Sequence, residues 1–233
     1  MSEQHALRQN GWGGYIKRAL FIILIPILQM GYFALNLTTT HSFDITIFLD
    51  NYIPFNEWFI IPYVFWYVYT FGLLLLLAHK NYKIYYKLLL TILIGMSICL
   101  VVYKLFPTTV PRPIVTDDNI LKRLVLFIYS NDKPYNCFPS IHMLDTLLIT
   151  LFLHKYYSSI KMRLSVWTIC ILIYLSTFFT KQHSVLDAAA STVIAIALFI
   201  IFDKDIVWRK LMSAIEFVLQ KLRFKAKETV VGE

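Results

Sequence analysis

The chain has 233 residues, 58% of them hydrophobic and 15% charged, with a net charge of +8 and a mean hydropathy of +0.62. Soluble domains carry about 25% charged residues, so this composition excludes an ordinary soluble enzyme and points to one integral membrane domain. In that setting the positive charge signals orientation rather than nucleic-acid binding. Cys99, Cys137 and Cys170 stand in unrelated surroundings, an odd number that implies neither a disulfide framework nor a metal site.

Six apolar segments are predicted in chain order: Ala19–Leu37, with Pro26 and Gly31 as bends, Trp58–Ala78, Leu88–Leu105, Ile141–Leu153, Leu164–Phe179 and Val185–Phe202. A helix of 19 residues rises about 28 Å, close to the ~30 Å hydrocarbon core of a bilayer. The fourth segment is short unless it extends through Lys155 or sits among other helices. Arg8, Lys17 and Arg18 precede the first segment without a small-residue cleavage site, which reads as a retained span and not a removed signal peptide. The expected fold is all-α, a polytopic six-transmembrane-helix bundle over residues 1–205. Residues 206–233 form a basic tail in which Ile206–Lys227 alternates apolar and basic positions, as an amphipathic helix on an anionic leaflet does.

Orientation follows from the basic residues. Arg8, Lys17 and Arg18, then Lys80, Lys83 and Lys87, then Lys155, Lys161 and Arg163, then Lys204, Arg209, Lys210, Lys221, Arg223, Lys225 and Lys227 lie on one side of six spans. They are sixteen of the 22 basic residues. Both termini are therefore expected to be cytoplasmic. Lys104, Arg112, Lys122, Arg123, Lys133 and Lys181 face outward. A long outer loop, Phe106–Phe138, joins spans three and four, and within it Asp117 or Asp118 can cap a short helix bearing Ile120, Leu121, Leu124, Val125 and Ile128 on one face.

Three polar clusters share that outer side: Lys104 with Arg112-Pro113 after span three, Pro139-Ser140-Ile141-His142 entering span four, and Lys181-Gln182-His183-Ser184-Val185-Leu186-Asp187 between spans five and six. His183 and Asp187 are four apart, so a helix start brings them together and leaves the other imidazole nitrogen as nucleophile or proton acceptor. The same pair also suits a plain helix cap. Cations with Ser140 at a helix N-terminus make an anion site, Arg112 offering a fork and the lysines point charges. Two histidines can then divide attack on phosphorus from protonation of the leaving oxygen. No carboxylate cluster for a metal accompanies them, and no cofactor is expected.

These motifs resemble those of the membrane-bound type 2 phosphatidic acid phosphatase superfamily: Lys…Arg-Pro in Lys104 and Arg112-Pro113, Pro-Ser-x-His in Pro139–His142, and Ser-Arg-x5-His-x3-Asp in Ser176, His183 and Asp187. The resemblance implies phosphoryl transfer without a metal. His183 would form a phospho-histidine and Asp187 would orient it. His142 would serve as general acid, and Lys104, Arg112, Ser140, Lys181 and Ser176 would hold the phosphate. Three positions depart from the pattern: seven residues separate Lys104 from Arg112 where six are usual, Ile141 replaces Gly, and Thr177 replaces Arg. If the helix continues past Thr177, Lys181 lies one turn on along the same face and supplies the missing charge. Lys181-Gln182-His183 is similar to the branch with inositol phosphorylceramide and sphingomyelin synthases. The expected activity is hydrolysis of a lipid phosphomonoester or diphosphate at the extracytoplasmic face of the cell membrane. Headgroup transfer to a lipid alcohol and a non-catalytic lipid-binding role are the alternatives, and the oligomeric state stays open.

Overall fold

The structure, a computed structural model, describes residues 12–204 and Ser213. The predicted basic tail, 206–233, and Arg8 lie outside the described residues, Ser213 excepted. The helices are α1 (Trp12–Phe21), α2 (Leu24–Thr38), α3 (Ile60–Lys80), α4 (Tyr82–Leu105), α5 (Ile120–Asn131), α6 (Ile141–Tyr156), α7 (Ile160–Phe179) and α8 (Val185–Asp203). Two 3₁₀ turns, Phe48–Tyr52 and Glu57–Phe59, precede α3.

Among the described residues, five segments are long and apolar enough to cross a membrane: Trp12–Thr38, Glu57–Lys80, Tyr82–Leu105, Ile160–Phe179 and Val185–Asp203. The fourth predicted span is α6, whose 16 residues rise only about 24 Å. It is the innermost helix, packed by α3, α4, α7 and α8, with eleven of its residues buried. Protein rather than lipid surrounds it, so a short helix leaves no backbone group facing hydrocarbon.

The predicted bends of the first span differ from those observed. The helix breaks at Ile22–Ile23, between α1 and α2. Pro26 lacks an N–H and its ring crowds the carbonyl four residues earlier, that of Ile22. Gly31 does not bend α2; a Cβ there would sit 3.5 Å from Leu100, so it marks a close approach to α4. Asn81 alone separates α3 from α4, accepting from Ile84 N at 3.2 Å as N-cap. The expected Lys83 and Lys87 loop is therefore the first turns of α4.

In the stretch between α4 and α6, the cap of α5 is Asn119, which accepts from Lys122 N at 2.9 Å, and not Asp117 or Asp118. Those aspartates instead pair with Arg123 at 2.7 Å and Lys122 at 2.9 Å. Val125, Leu121, Leu124 and Ile128 pack on Ile60 and Tyr63 of α3, as expected, whereas Ile120 is exposed. The all-α expectation also missed a two-residue parallel pair, β1 (Phe43–Asp44) with β2 (Thr108–Thr109). It forms because the chain leaves α2 and α4 at the same end of the bundle.

Gly95 lets α4 meet α6 and α8: a Cβ there would lie 2.6 Å from Leu144 and 3.3 Å from Leu198. Gly95→Leu is expected to lower stability by about 1–3 kcal/mol through overpacking. The thermal midpoint of the detergent-solubilised protein measures it, and an unchanged midpoint would contradict this packing.

Candidate active site

The site lies where α2, α4 and α7 end and α3, α6 and α8 begin. Its base is the turn between α7 and α8. Gln182 N and His183 N both donate to the carbonyl of Thr177, at 3.0 and 3.2 Å, and Lys181 adopts a left-handed φ of 53°. The helix thus stops at Phe179 and the chain reverses within five residues. Ser184 N-caps α8, accepting from Asp187 N at 3.3 Å, while Asp187 Oδ2 accepts from Ser184 N at 2.9 Å. Asp50, from the first 3₁₀ turn, reaches across: its Oδ1 accepts from Val185 N at 2.9 Å and its Oδ2 from Ile47 N at 2.8 Å.

His183 Nδ1 lies 3.0 Å from Asp187 Oδ2 and 3.1 Å from the carbonyl of Cys137. Both neighbours are acceptors, so Nδ1 carries the proton and the lone pair stays on Nε2. Asp187 is fully buried. The ring of His142 stands 5.7 Å from that of His183, centre to centre, and is held against Tyr63 at 4.9 Å and Trp66 at 4.3 Å. The two imidazoles, 41 positions apart along the chain, face one cavity of ≈ 70 Å³ lined also by Arg112, Gln182, Asp132 and Cys137.

Arg112 is held on three sides. One Nη donates to the carbonyl of Asp132 at 2.6 Å, the other donates to Gln182 Oε1, and the guanidinium lies 4.3 Å over the ring of Tyr129. Arg112 Nε, Gln182 Nε2 and His142 Nε2 are buried with no hydrogen-bond partner among the described residues. Buried polar atoms seldom stay unsatisfied, and three of them on one cavity wall, with an arginine, suit an oxyanion.

Charges around the cavity are set by burial. Burial pushes the Asp132 carboxyl up, opposed by the Tyr32 hydroxyl bonded to it and by Arg112. Burial, then the nearby Asp187, holds the Cys137 thiol well above its usual range, which leaves it a poor nucleophile. The Tyr129 hydroxyl is pushed up to about 12 by burial. Burial also lowers the ammonium of Lys181.

Of the predicted residues, the structure brings His142, His183, Asp187 and Arg112 together. The others stand elsewhere. Lys104 is exposed and does not line the cavity, because its neighbour Tyr103 takes the inward face of α4 and donates to the carbonyl of Pro139 at 2.5 Å. The Ser140 hydroxyl N-caps α6, accepting from Met143 N at 3.4 Å, and Ser140 does not line the cavity. Ser176 is buried and donates to its own helix at Ile173 O, 2.6 Å away. Lys181 does not replace the charge missing at Thr177: the helix has already ended, and Lys181 Nζ donates to the carbonyl of Asp50 at 3.0 Å.

Gln182, Asp132, Tyr63, Trp66 and Asp50 escaped the sequence reading. A polar Gln beside the key His was the one available signal. Among the described residues, no group of three or more His, Cys, Asp and Glu side chains is placed to hold a metal ion. Asp145 is fully buried, with neither carboxylate oxygen bonded, and nothing in the structure explains it.

A family model described as the PAP2 superfamily matches residues 34–201, which takes in every residue of this cavity except Gln29, Tyr32 and Phe33. The chain belongs to the PAP2 superfamily. The match is to the superfamily as a whole and does not extend to the inositol phosphorylceramide and sphingomyelin synthase branch. A search of curated proteins returned no match. Among solved structures, the chain is similar to the crystal structure of Aquifex aeolicus LpxE, at 19% identity over 76% of this chain and 93% of that one, with a TM-score of 0.49.

The PAP2 site depends on a turn that Asp50 staples from outside. Asp50→Ala is expected to cost about 1–2 kcal/mol, as loss of a helix cap does. Amide hydrogen exchange at residues 181–187 should speed up while α6 keeps its protection. Unchanged exchange in the turn would show that Asp50 is not its staple.

Proposed function

We propose that this protein hydrolyses the phosphate ester or diphosphate of a membrane lipid through a phospho-histidine. The observation that carries this is the pairing of two imidazoles 5.7 Å apart, one with its Nδ1 proton fixed, across a cavity that Arg112 enters. Membership of the PAP2 superfamily supports a lipid phosphatase.

His183 Nε2 attacks phosphorus and forms the P–N bond. Asp187 and the Cys137 carbonyl hold the ring and stabilise the positive charge that develops on it. Arg112 and Gln182 neutralise and orient the equatorial oxygens, Arg112 by its fork and Gln182 by its free amide. As the P–O ester bond breaks, the alcohol oxygen takes a proton from His142. Water then attacks phosphorus, gives its proton to His142 and frees His183. Arg112 takes the phosphate-binding part that the sequence reading spread over five residues, and the step needs no metal.

In this reading the site faces the extracytoplasmic side of the cell membrane, with six spans and both termini cytoplasmic. Supporting this, Arg18, Lys80, Lys83, Lys87, Lys155 and Arg163 cluster at the other end of the bundle, as the positive-inside rule requires of a cytoplasmic end. Transfer of the phosphoryl-bearing group to a lipid alcohol would use the same residues with that alcohol in place of water.

Release of inorganic phosphate by purified protein in a chelator tests the reading. His183→Ala should abolish release, and His142→Ala should reduce it about 10²–10⁴-fold. Arg112→Lys, which cannot reach Asp132 O and Gln182 together, should weaken vanadate binding about tenfold or more. Release by His183→Ala at the wild-type rate would sink the mechanism.

A further inference from the structure

One wall of the cavity has the wrong charge for phosphate. Asp132, at the end of α5, lines the same space as Arg112 and both histidines. Its Oδ1 accepts from the Tyr32 hydroxyl at 2.5 Å and from Asn36 Nδ2 at 3.3 Å. Both are donors, so Oδ1 is already used as an acceptor. The backbone carbonyl, and not the carboxylate, receives Arg112, and among the described residues the carboxylate forms no ion pair.

The second oxygen, Oδ2, has no hydrogen-bond partner among the described residues and is not one of the fully sealed orphan atoms, and Asp132 lines the cavity. Asn36, fully buried, locks the segment by donating to Lys133 O at 2.9 Å and Tyr135 O at 3.0 Å. Asp132 therefore cannot swing away to let an anion in.

A phosphate oxygen brought to this oxygen would meet like charge at short range, whereas the wall of Arg112, Gln182 and the histidines supplies donors. The part of a bound ligand that meets Asp132 must itself donate a hydrogen bond. Building on the proposed function, we infer that Asp132 Oδ2 is a specificity determinant. It accepts a hydrogen bond from a hydroxyl or ammonium group on the alcohol part of the substrate, close to the ester carbon. Tyr32 and Asn36 are the positioning residues that aim it. A lipid phosphate bearing such a group is preferred over one whose alcohol has none.

The test is equilibrium binding to the full chain in detergent micelles, comparing sphinganine 1-phosphate, which carries an ammonium beside the ester carbon, with phosphatidic acid, which has no free donor there. Asp132→Asn keeps an oxygen for Tyr32 and turns a donor toward the cavity. It should weaken binding of sphinganine 1-phosphate about 10–100-fold and change phosphatidic acid by no more than about threefold. Tyr32→Phe, which removes the hydroxyl that aims the Asp132 carboxylate, should weaken sphinganine 1-phosphate about tenfold and phosphatidic acid by less. Equal loss of both lipids in Asp132→Asn, no loss of either, or no binding by the wild type overturns the inference. Selective binding without phosphate release from either lipid would overturn the hydrolytic reading instead and leave Asp132 in this role.

Discussion

The carboxylate of Asp187 lies out of reach of water at the start of α8, where a charge depends on whatever donors reach it. Ser184 N and His183 Nδ1 both reach Oδ2, while Oδ1 is buried with no partner among the described residues. Both donors belong to the turn that leaves α7, so holding that one oxygen fixes the turn, the ring and the tautomer together. The turn in turn carries Gln182 into contact with Arg112. Arg112 rests on the carbonyl of Asp132, whose side chain is tied to α2 by Tyr32 and Asn36. Residues from α2, the stretch before α5, the end of α5 and the start of α8 thus form one hydrogen-bonded chain.

The other end of the bundle is built differently. Arg18 donates to the carbonyl of Ala78 at 2.7 Å, and Lys87 Nζ donates to the carbonyl of Asp203 at 3.0 Å. Tyr156 and Lys155 both engage the Asp203 carboxylate. These cations close helix C-termini, where the dipole favours them, and they pair with backbone or carboxylate. At the site end, by contrast, polar atoms on Arg112, Gln182 and His142 have no hydrogen-bond partner among the described residues. That difference between a closed end and an open one is the physical basis for locating the chemistry.

Local rules served well where the signal was local. His183 and Asp187 meet because four residues on a helix start make one face, and Ser184 caps because Ser before an apolar run does. They failed where a neighbour decided. Lys181 was expected to supply the charge missing at Thr177, but the Thr177 carbonyl draws Gln182 and His183 back and leaves Lys181 in a left-handed conformation. Ser140, expected among the phosphate ligands, caps α6 and does not line the cavity. Pro26 was expected to bend the helix at itself, while the break falls four residues earlier, where the ring meets the carbonyl.

What the amino-acid sequence determined alone was the membrane class, the apolar segments and the motifs that carry His142, His183, Asp187 and Arg112. Period, length and charge are properties of contiguous residues, and the burial of whole segments in lipid follows from them. What only the tertiary structure decided was which cations face the cavity and which polar groups wall it. Tyr103 turns Lys104 outward, and Asp50 claims Lys181 from 131 positions away. Asn36 and Tyr32 hold Asp132 from about a hundred positions away. Contacts between residues that distant depend on how the helices pack, and no short stretch of sequence encodes that.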